Sequence, residues 1–151
     1  MIVTVSRGMN LGNPYSIGRD CQVVLLWNGV RLDLRDVTGF QAAQEVRQQR
    51  SDPLNSVPIE FNTPAGWRGQ FHVDRGSSAL DDLISAIEAA FWSAGVIGSG
   101  TIYQYVSEAD GSTSTYEFIG VSLTLTSAGH YQAENIVKQT IGFYASQRNR
   151  V

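Results

Sequence analysis

Only one stretch of this chain, between Ser78 and Gly95, repeats its apolar side chains at helical spacing, and this limits the fold more than any other feature. Leu80, Leu83, Ile84, Ile87, Phe91 and Ala94 fall on one stripe. Ser78 stands where an N-cap is wanted. Asp81 and Asp82 occupy the first turn, where the helix dipole favours acids, and Gly95 is a natural stop. Trp92 lies off the stripe, on the side of Asp81, Ser85 and Glu88; an edge-of-core residue and an interface anchor would both sit there. One helix cannot cover a whole sheet, so strands with two apolar faces need cover from elsewhere.

The remainder reads as strands and turns. An extended piece at residues 2–5 leads into an irregular arm, residues 1–20, carrying Gly8, Gly12, Pro14 and Gly18. Residues 22–27 form a strand with apolar residues on both faces. Asn28-Gly29, the strongest short hairpin signal, follows it. The return strand alternates: Val30, Leu32 and Leu34 face in; Arg31, Asp33 and Arg35 face out. Residues 38–50 leave helix and strand open. Their Ala, Gln and Glu suit a helix, whereas Phe40, Ala42 and Val46 share a strand face. Residues 51–65 hold Pro53, Pro58 and Pro64 and read as a loop or hairpin tip. That tip bears Leu54, Val57, Ile59 and Phe61, and exposed apolar surface of this kind marks a contact site. Residues 66–74 form a strand with Trp67, Phe71 and Val73 on one face. In the last third, residues 101–107 are a strand and Asp110-Gly111-Ser112 a turn. Residues 116–126 are a long strand on which Ile119, Val121, Leu123 and Leu125 share a face with Glu117. Residues 136–145 are the final strand, with Val137, Ile141, Phe143 and Ala145 inward. Strands, one helix, then strands predict a sandwich or open barrel with a helix packed on it, in a single domain over residues 1–151.

Charge and chemistry narrow the function. The net charge is −3, and the densest basic stretch, residues 47–50, carries two charges, so a nucleic-acid grip is not expected. Ten of the eleven basic residues are Arg and one is Lys (Lys138); Arg is enriched and Lys depleted in interfaces. A charged fraction of 17%, below the usual quarter, points the same way, to surface covered by something else. Cys21 is the only cysteine, which excludes an intrachain disulfide. The first residues lack a basic start and long apolar run, and no window approaches 18 apolar residues, so neither a secretory leader nor a membrane helix is expected. His72 and His130 stand far apart, without metal-ligand spacing. No Gly-x-Ser-x-Gly elbow exists. Residues 95–100 are Gly-rich but precede a strand and lack the Lys-Ser/Thr end of a phosphate loop. No catalytic, metal or cofactor site is expected.

Several pieces in order resemble bacteriophage tail tube proteins. They are Val24-Leu25-Leu26-Trp27-Asn28-Gly29; Val37-Thr38-Gly39-Phe40; Gly66-Trp67-Arg68-Gly69-Gln70-Phe71-His72-Val73-Asp74; the helix from Leu80 to Gly95; the Asp110-Gly111-Ser112 turn into Tyr116-Glu117-Phe118-Ile119-Gly120-Val121; and Phe143-Tyr144-Ala145-Ser146-Gln147-Arg148. The resemblance implies a mainly β fold with one α-helix, a β-sandwich or half-barrel of the tail tube type. Inner strands would form a continuous barrel in a hexameric ring. Stacked rings would form a hollow conduit for genome ejection. It also implies that residues 38–50 are a strand, that 51–65 is an inter-subunit loop and that the arm bridges subunits. The expected inter-subunit contacts are Leu54, Val57, Ile59, Phe61 and Trp92. A lumen that nucleic acid must slide through should not be positive, so Asp33, Glu60, Asp74 and Glu117 are lumen-facing candidates. The implied partners are further copies of the chain, the tape-measure protein, baseplate and neck proteins, and a sheath protein in a contractile tail. DNA would be met only in transit, and no membrane is bound. The implied location is the virion tail, assembled in the bacterial cytoplasm. Two alternatives stand beside this: a tube-initiator, terminator or secretion-system tube ring protein of the same architecture, and a small ligand-binding β-sandwich module.

Overall fold

The computed structural model describes residues 15–33 and 37–151, the side chain of Asp33 excepted. The extended piece expected at residues 2–5, and most of the arm, lie outside the described residues. After a 3-10 turn at Gly18–Asp20 come β1 (Cys21–Trp27), β2 (Val30–Asp33), β3 (Val37–Ser51), β4 (Ile59–Asp74), α1 (Ala79–Ala94), β5 (Gly100–Ser107), β6 (Thr113–Ser127), β7 (Lys138–Ala145) and β8 (Gln147–Arg150). All paired strands are antiparallel, in one sheet ordered β2-β1-β5-β6-β7-β4-β3, with β8 also on β6. The sheet does not close into a barrel.

The β1–β2 turn takes the left-handed backbone that its residues allow, with Asn28 at φ 50° and Gly29 at φ 78°. Residues 38–50 are strand throughout. Phe40 lies in the core because β4 pairs the whole segment, a tertiary contact that outweighs the helical leaning of Ala, Gln and Glu.

The sheet bends in the middle of β6. Residues 113–121 pair with β5, and residues 122–127 pair with β7. The pivot is Gly120 at φ 67°, a bulged residue between the Thr101↔Ile119 and Gly100↔Val121 pairs. One extra residue reverses which side chains face in. Phe118 is fully buried before the bend, and Val121, Leu123 and Leu125 face the core after it. Ile119 was expected on the same face as Val121; the bulge turns it outward, and it is 37% exposed. On the neighbouring strand Ser146 breaks the line between β7 and β8, and its N–H donates to the Ile119 carbonyl.

The two halves fold toward each other around one core. Val23, Leu25, Ile102 and Phe118 come from the first half, and Phe71, Val73, Ile141 and Phe143 from the second. Phe40 and Trp67 of the second half reach Phe118 of the first, with ring centroids 5.9 and 6.1 Å apart. Arg148 of β8 enters this seam. Its guanidinium lies 3.8 Å from the Tyr116 ring centroid and 4.7 Å from that of Trp67, a stacked position that Lys could not fill as well.

Helix α1 is fixed at its start and bare at its end. Leu80 is buried and Leu83 packs on the core. Asp81 accepts hydrogen bonds from Arg75 Nε at 3.0 Å and from the buried Gln139 Nε2 at 2.9 Å, which ties the first turn to β7. The stripe predicted to face the core does so only here; Phe91 is 45% exposed. Gly95 ends the helix, its N–H donating to the Phe91 carbonyl.

Candidate assembly surfaces

Three surfaces stand apart from the core. The first is the outer part of the β3–β4 hairpin. Pairing of β4 with β7 ends at Trp67↔Ala145, and beyond it β3 and β4 run on as a two-stranded ribbon. From Gln44 to Ser51 the ribbon extends about 23 Å at strand rise. The tip is residues 52–58, and residues 59–65 are strand, not loop. Pro64, which signals a loop in the sequence, is accommodated within the strand. It sits at a bulge opposite Val46, where β4 has no second neighbour to need its missing N–H. Register sorts the ribbon into two faces. Arg47, Gln49 and Ser51 lie opposite Thr63, Phe61 and Ile59 on one; Val46, Gln48 and Arg50 lie opposite Pro64, Asn62 and Glu60 on the other. Ile59 and Phe61 are more than half exposed, and Leu54 and Val57 at the tip still more so. A two-stranded ribbon in water is marginal, and apolar residues on one are a request for cover.

The second surface is the end of α1 and the segment after it. Trp92 is 78% exposed and meets Phe91 edge to face, with centroids 5.2 Å apart. Val96 and Ile97 extend this apolar surface. Sequence reading singled out Trp92 but passed over Val96 and Ile97, whose place in a Gly-rich connection hid them.

The third surface is the outer face of the second half-sheet. Gln41, Ala43, Arg68, Gln70, His72, Thr140, Gly142, Tyr144, Ser122 and Thr124 follow from register. It is polar, and its charges are paired: Arg68 with Glu45 at 2.6 Å, Lys138 with Asp74 at 3.0 Å. His72 Nδ1 lies 3.0 Å from Thr140 Oγ1. Among the described residues, both margins of this half-sheet lack a further strand. The far edge of β3 is open, and so is the edge of β6 over residues 122–127.

The four acids singled out by sequence are not brought together. Asp74 lies on the polar face with its Lys138 partner. Glu60 is on the ribbon, on the face away from Phe61. Glu117 is on the outer face of the first half-sheet, opposite Tyr103, and accepts a hydrogen bond from its phenol. Asp33 ends β2 in register with Val24, and its side chain is outside the described residues.

Chemistry is sparse. Among the described residues no three His, Cys, Asp or Glu side chains are grouped so as to hold a metal. Cys21 Sγ accepts a hydrogen bond from Gln104. No described helix is long and apolar enough to cross a membrane.

No protein-family model matches the chain, and no curated protein does. Solved structures do. A chain of the anti-feeding prophage baseplate aligns over 92% of this chain and 97% of that one, at 9% identity and TM-score 0.58. A chain of the tube-terminating cap of the same particle aligns over 94% and 95%, at 13% identity and TM-score 0.57. A chain of the PVC sheath–tube complex, from an extracellular contractile injection system, aligns over 86% and 88%, at 14% identity and TM-score 0.55. At such identity the likeness concerns fold, and it spans nearly the whole length of both partners. The bent sheet with helix α1 is therefore a tail tube-like fold, shared with components of contractile injection systems.

Proposed function

We propose that this chain is a non-enzymatic structural subunit of a tail tube, forming hexameric rings that stack into a hollow conduit. One observation carries the reading: a four-stranded half-sheet, β6-β7-β4-β3, whose two margins are open among the described residues. The β3 edge of one copy can pair with residues 122–127 of the next, and repetition around a closed ring leaves no edge unpaired. The polar outer face of this half-sheet would then line the lumen. Its charges, paired as Arg68–Glu45 and Lys138–Asp74, give a locally neutral lining that DNA or protein could pass without sticking. Of the four acids expected inward, only Asp74 would contribute to it. Tape-measure, baseplate and neck proteins are the partners this role calls for, with a sheath protein if the tail is contractile, and a phage virion is its setting.

Electron microscopy of the purified protein over a range of concentrations tests this. Rings and open-ended tubes with a central channel are expected; a strict monomer at every concentration would sink the proposal. A second reading has its own support, since two of the similar chains come from a baseplate and a terminating cap. A ring at the end of a tube would form single rings that do not stack on one another.

A further inference from the structure

We infer that the Arg47–Phe61–Ile59 face of the ribbon docks on the Glu88–Trp92 face of α1 in a second copy of this chain. The inference rests on the subunit reading above and adds which surfaces meet. Each patch carries large apolar side chains among polar ones, exposed and uncovered by its own chain. Phe61 is 51% exposed, Ile59 58% and Trp92 78%. They are different surfaces, one a ribbon face and the other a helix side, so a one-way contact between them is heterologous and can pass from copy to copy.

Charge selects the partner. Helix α1 contains Asp81, Asp82 and Glu88 and no Lys or Arg. Asp81 is taken by Arg75 and Gln139, and Asp82 accepts from Ser78. Glu88 makes no ion pair or side-chain hydrogen bond among the described residues, and it lies one turn before Trp92 on the same helix side. On the ribbon, Arg50 is engaged by Asp52, whereas the Arg47 guanidinium has no ion pair among the described residues. Arg47 sits opposite Thr63 and diagonal to Phe61. Each surface therefore offers one large aromatic and one unpaired charge of opposite sign, a residue from the next turn or row away. Trp and Arg are the residue types enriched at interface hot spots, and the two patches carry one of each, Trp92 and Arg47.

The two contacts also point in different directions. Edge pairing adds copies across the strands, whereas the ribbon projects along them. The copy it reaches is displaced along the strand direction.

Charge reversal tests the pairing. Arg47→Glu and Glu88→Arg are made singly and together, and assembly is followed by sedimentation and microscopy, with thermal melting as a check on the monomer. Both side chains are exposed, so the melts should match wild type. Each single variant should raise the concentration needed for assembly about tenfold or more, from like charges meeting across the contact. The double variant should return to near the wild-type value. Singles that assemble as wild type, or a double variant as weak as the singles, would overturn the pairing while wild-type rings still upheld the subunit reading. A wild-type protein that stays monomeric would remove both.

Discussion

Phe71 and Phe61 lie ten residues apart on one strand, yet one is fully buried and the other is half in water. The inner part of the β3–β4 hairpin has β7 beside it and the other half-sheet over it; the outer part has neither. The same pattern of alternating apolar residues thus serves two ends. Near Trp67 it builds the core, and beyond Gly66 it leaves apolar side chains that this chain does not cover. Burial in this chain tracks the number of layers around a strand, not the hydrophobicity of the strand itself.

The comparison breaks if the two phenylalanines behave alike. Phe71→Ala should lose about 3–5 kcal/mol of monomer stability, by chemical denaturation, since a buried ring is removed and its cavity left. A loss below about 1 kcal/mol would mean that the inner hairpin is as loosely held as the outer. Gly120→Ala tests the bend that brings the halves together. An alanine there must keep φ near 67°, with its Cβ about 2.6 Å from Ser146 Oγ. The expected loss is about 1–2 kcal/mol from the left-handed backbone. Phe61→Ala should change monomer stability by no more than about 0.5 kcal/mol, as an exposed site does. It should still weaken assembly, as read by sedimentation. Equal loss of stability in Phe61→Ala and Phe71→Ala would place the ribbon inside the folding unit.

Much of this contrast was legible in the sequence. The Asn28-Gly29 hairpin, the alternation of Trp67, Phe71 and Val73, and the Gly95 stop of α1 are local signals, and the structure follows them; Ser78 does begin the helix, but its hydroxyl donates to Asp82 and caps no backbone N–H. What was not legible depends on tertiary pairing. Strand β8, Gln147–Arg150, carries no apolar alternation; it exists because β6 continues to offer partners past Ser146 and because Arg148 stacks between Tyr116 and Trp67. The face reversal at Gly120 needs knowledge of the β5 register. The excess of Arg over Lys pointed to interfaces, yet Arg148, Arg75 and Arg68 find partners within the chain, and only some of the hint survives, in Arg47. The exposed surfaces were half legible. Leu54, Val57, Ile59, Phe61 and Trp92 are all exposed, but the open edges of β3 and β6 appear only once the strand order is known.

The smallest expected effect asks whether an outward contact within the packed part of the sheet contributes anything. Tyr103 and Glu117 face each other across β5 and β6, on the side away from the core. The hydrogen bond from the Tyr103 phenol to Glu117, and secondly burial, hold that phenol above its ordinary value. A phenol whose folded value is raised favours the folded state while it is protonated. Its contribution is complete below the unfolded value, about 10, and is lost as pH rises through the folded one. Wild type should therefore melt slightly above Tyr103→Phe near neutral pH, and the difference should begin to shrink above about 10 and vanish as pH rises through the raised folded value. Tyrosines other than Tyr105, whose ring stacks on that of Tyr103 with centroids 6.4 Å apart, titrate alike in both proteins and cancel in the comparison. A difference that is absent at neutral pH would put this pair with the ribbon, as surface whose value lies in what covers it. A difference that persists unchanged into strong alkali would mean that the proton shared between the Tyr103 phenol and Glu117 is not its source, since both proteins keep the ring and only the hydroxyl differs.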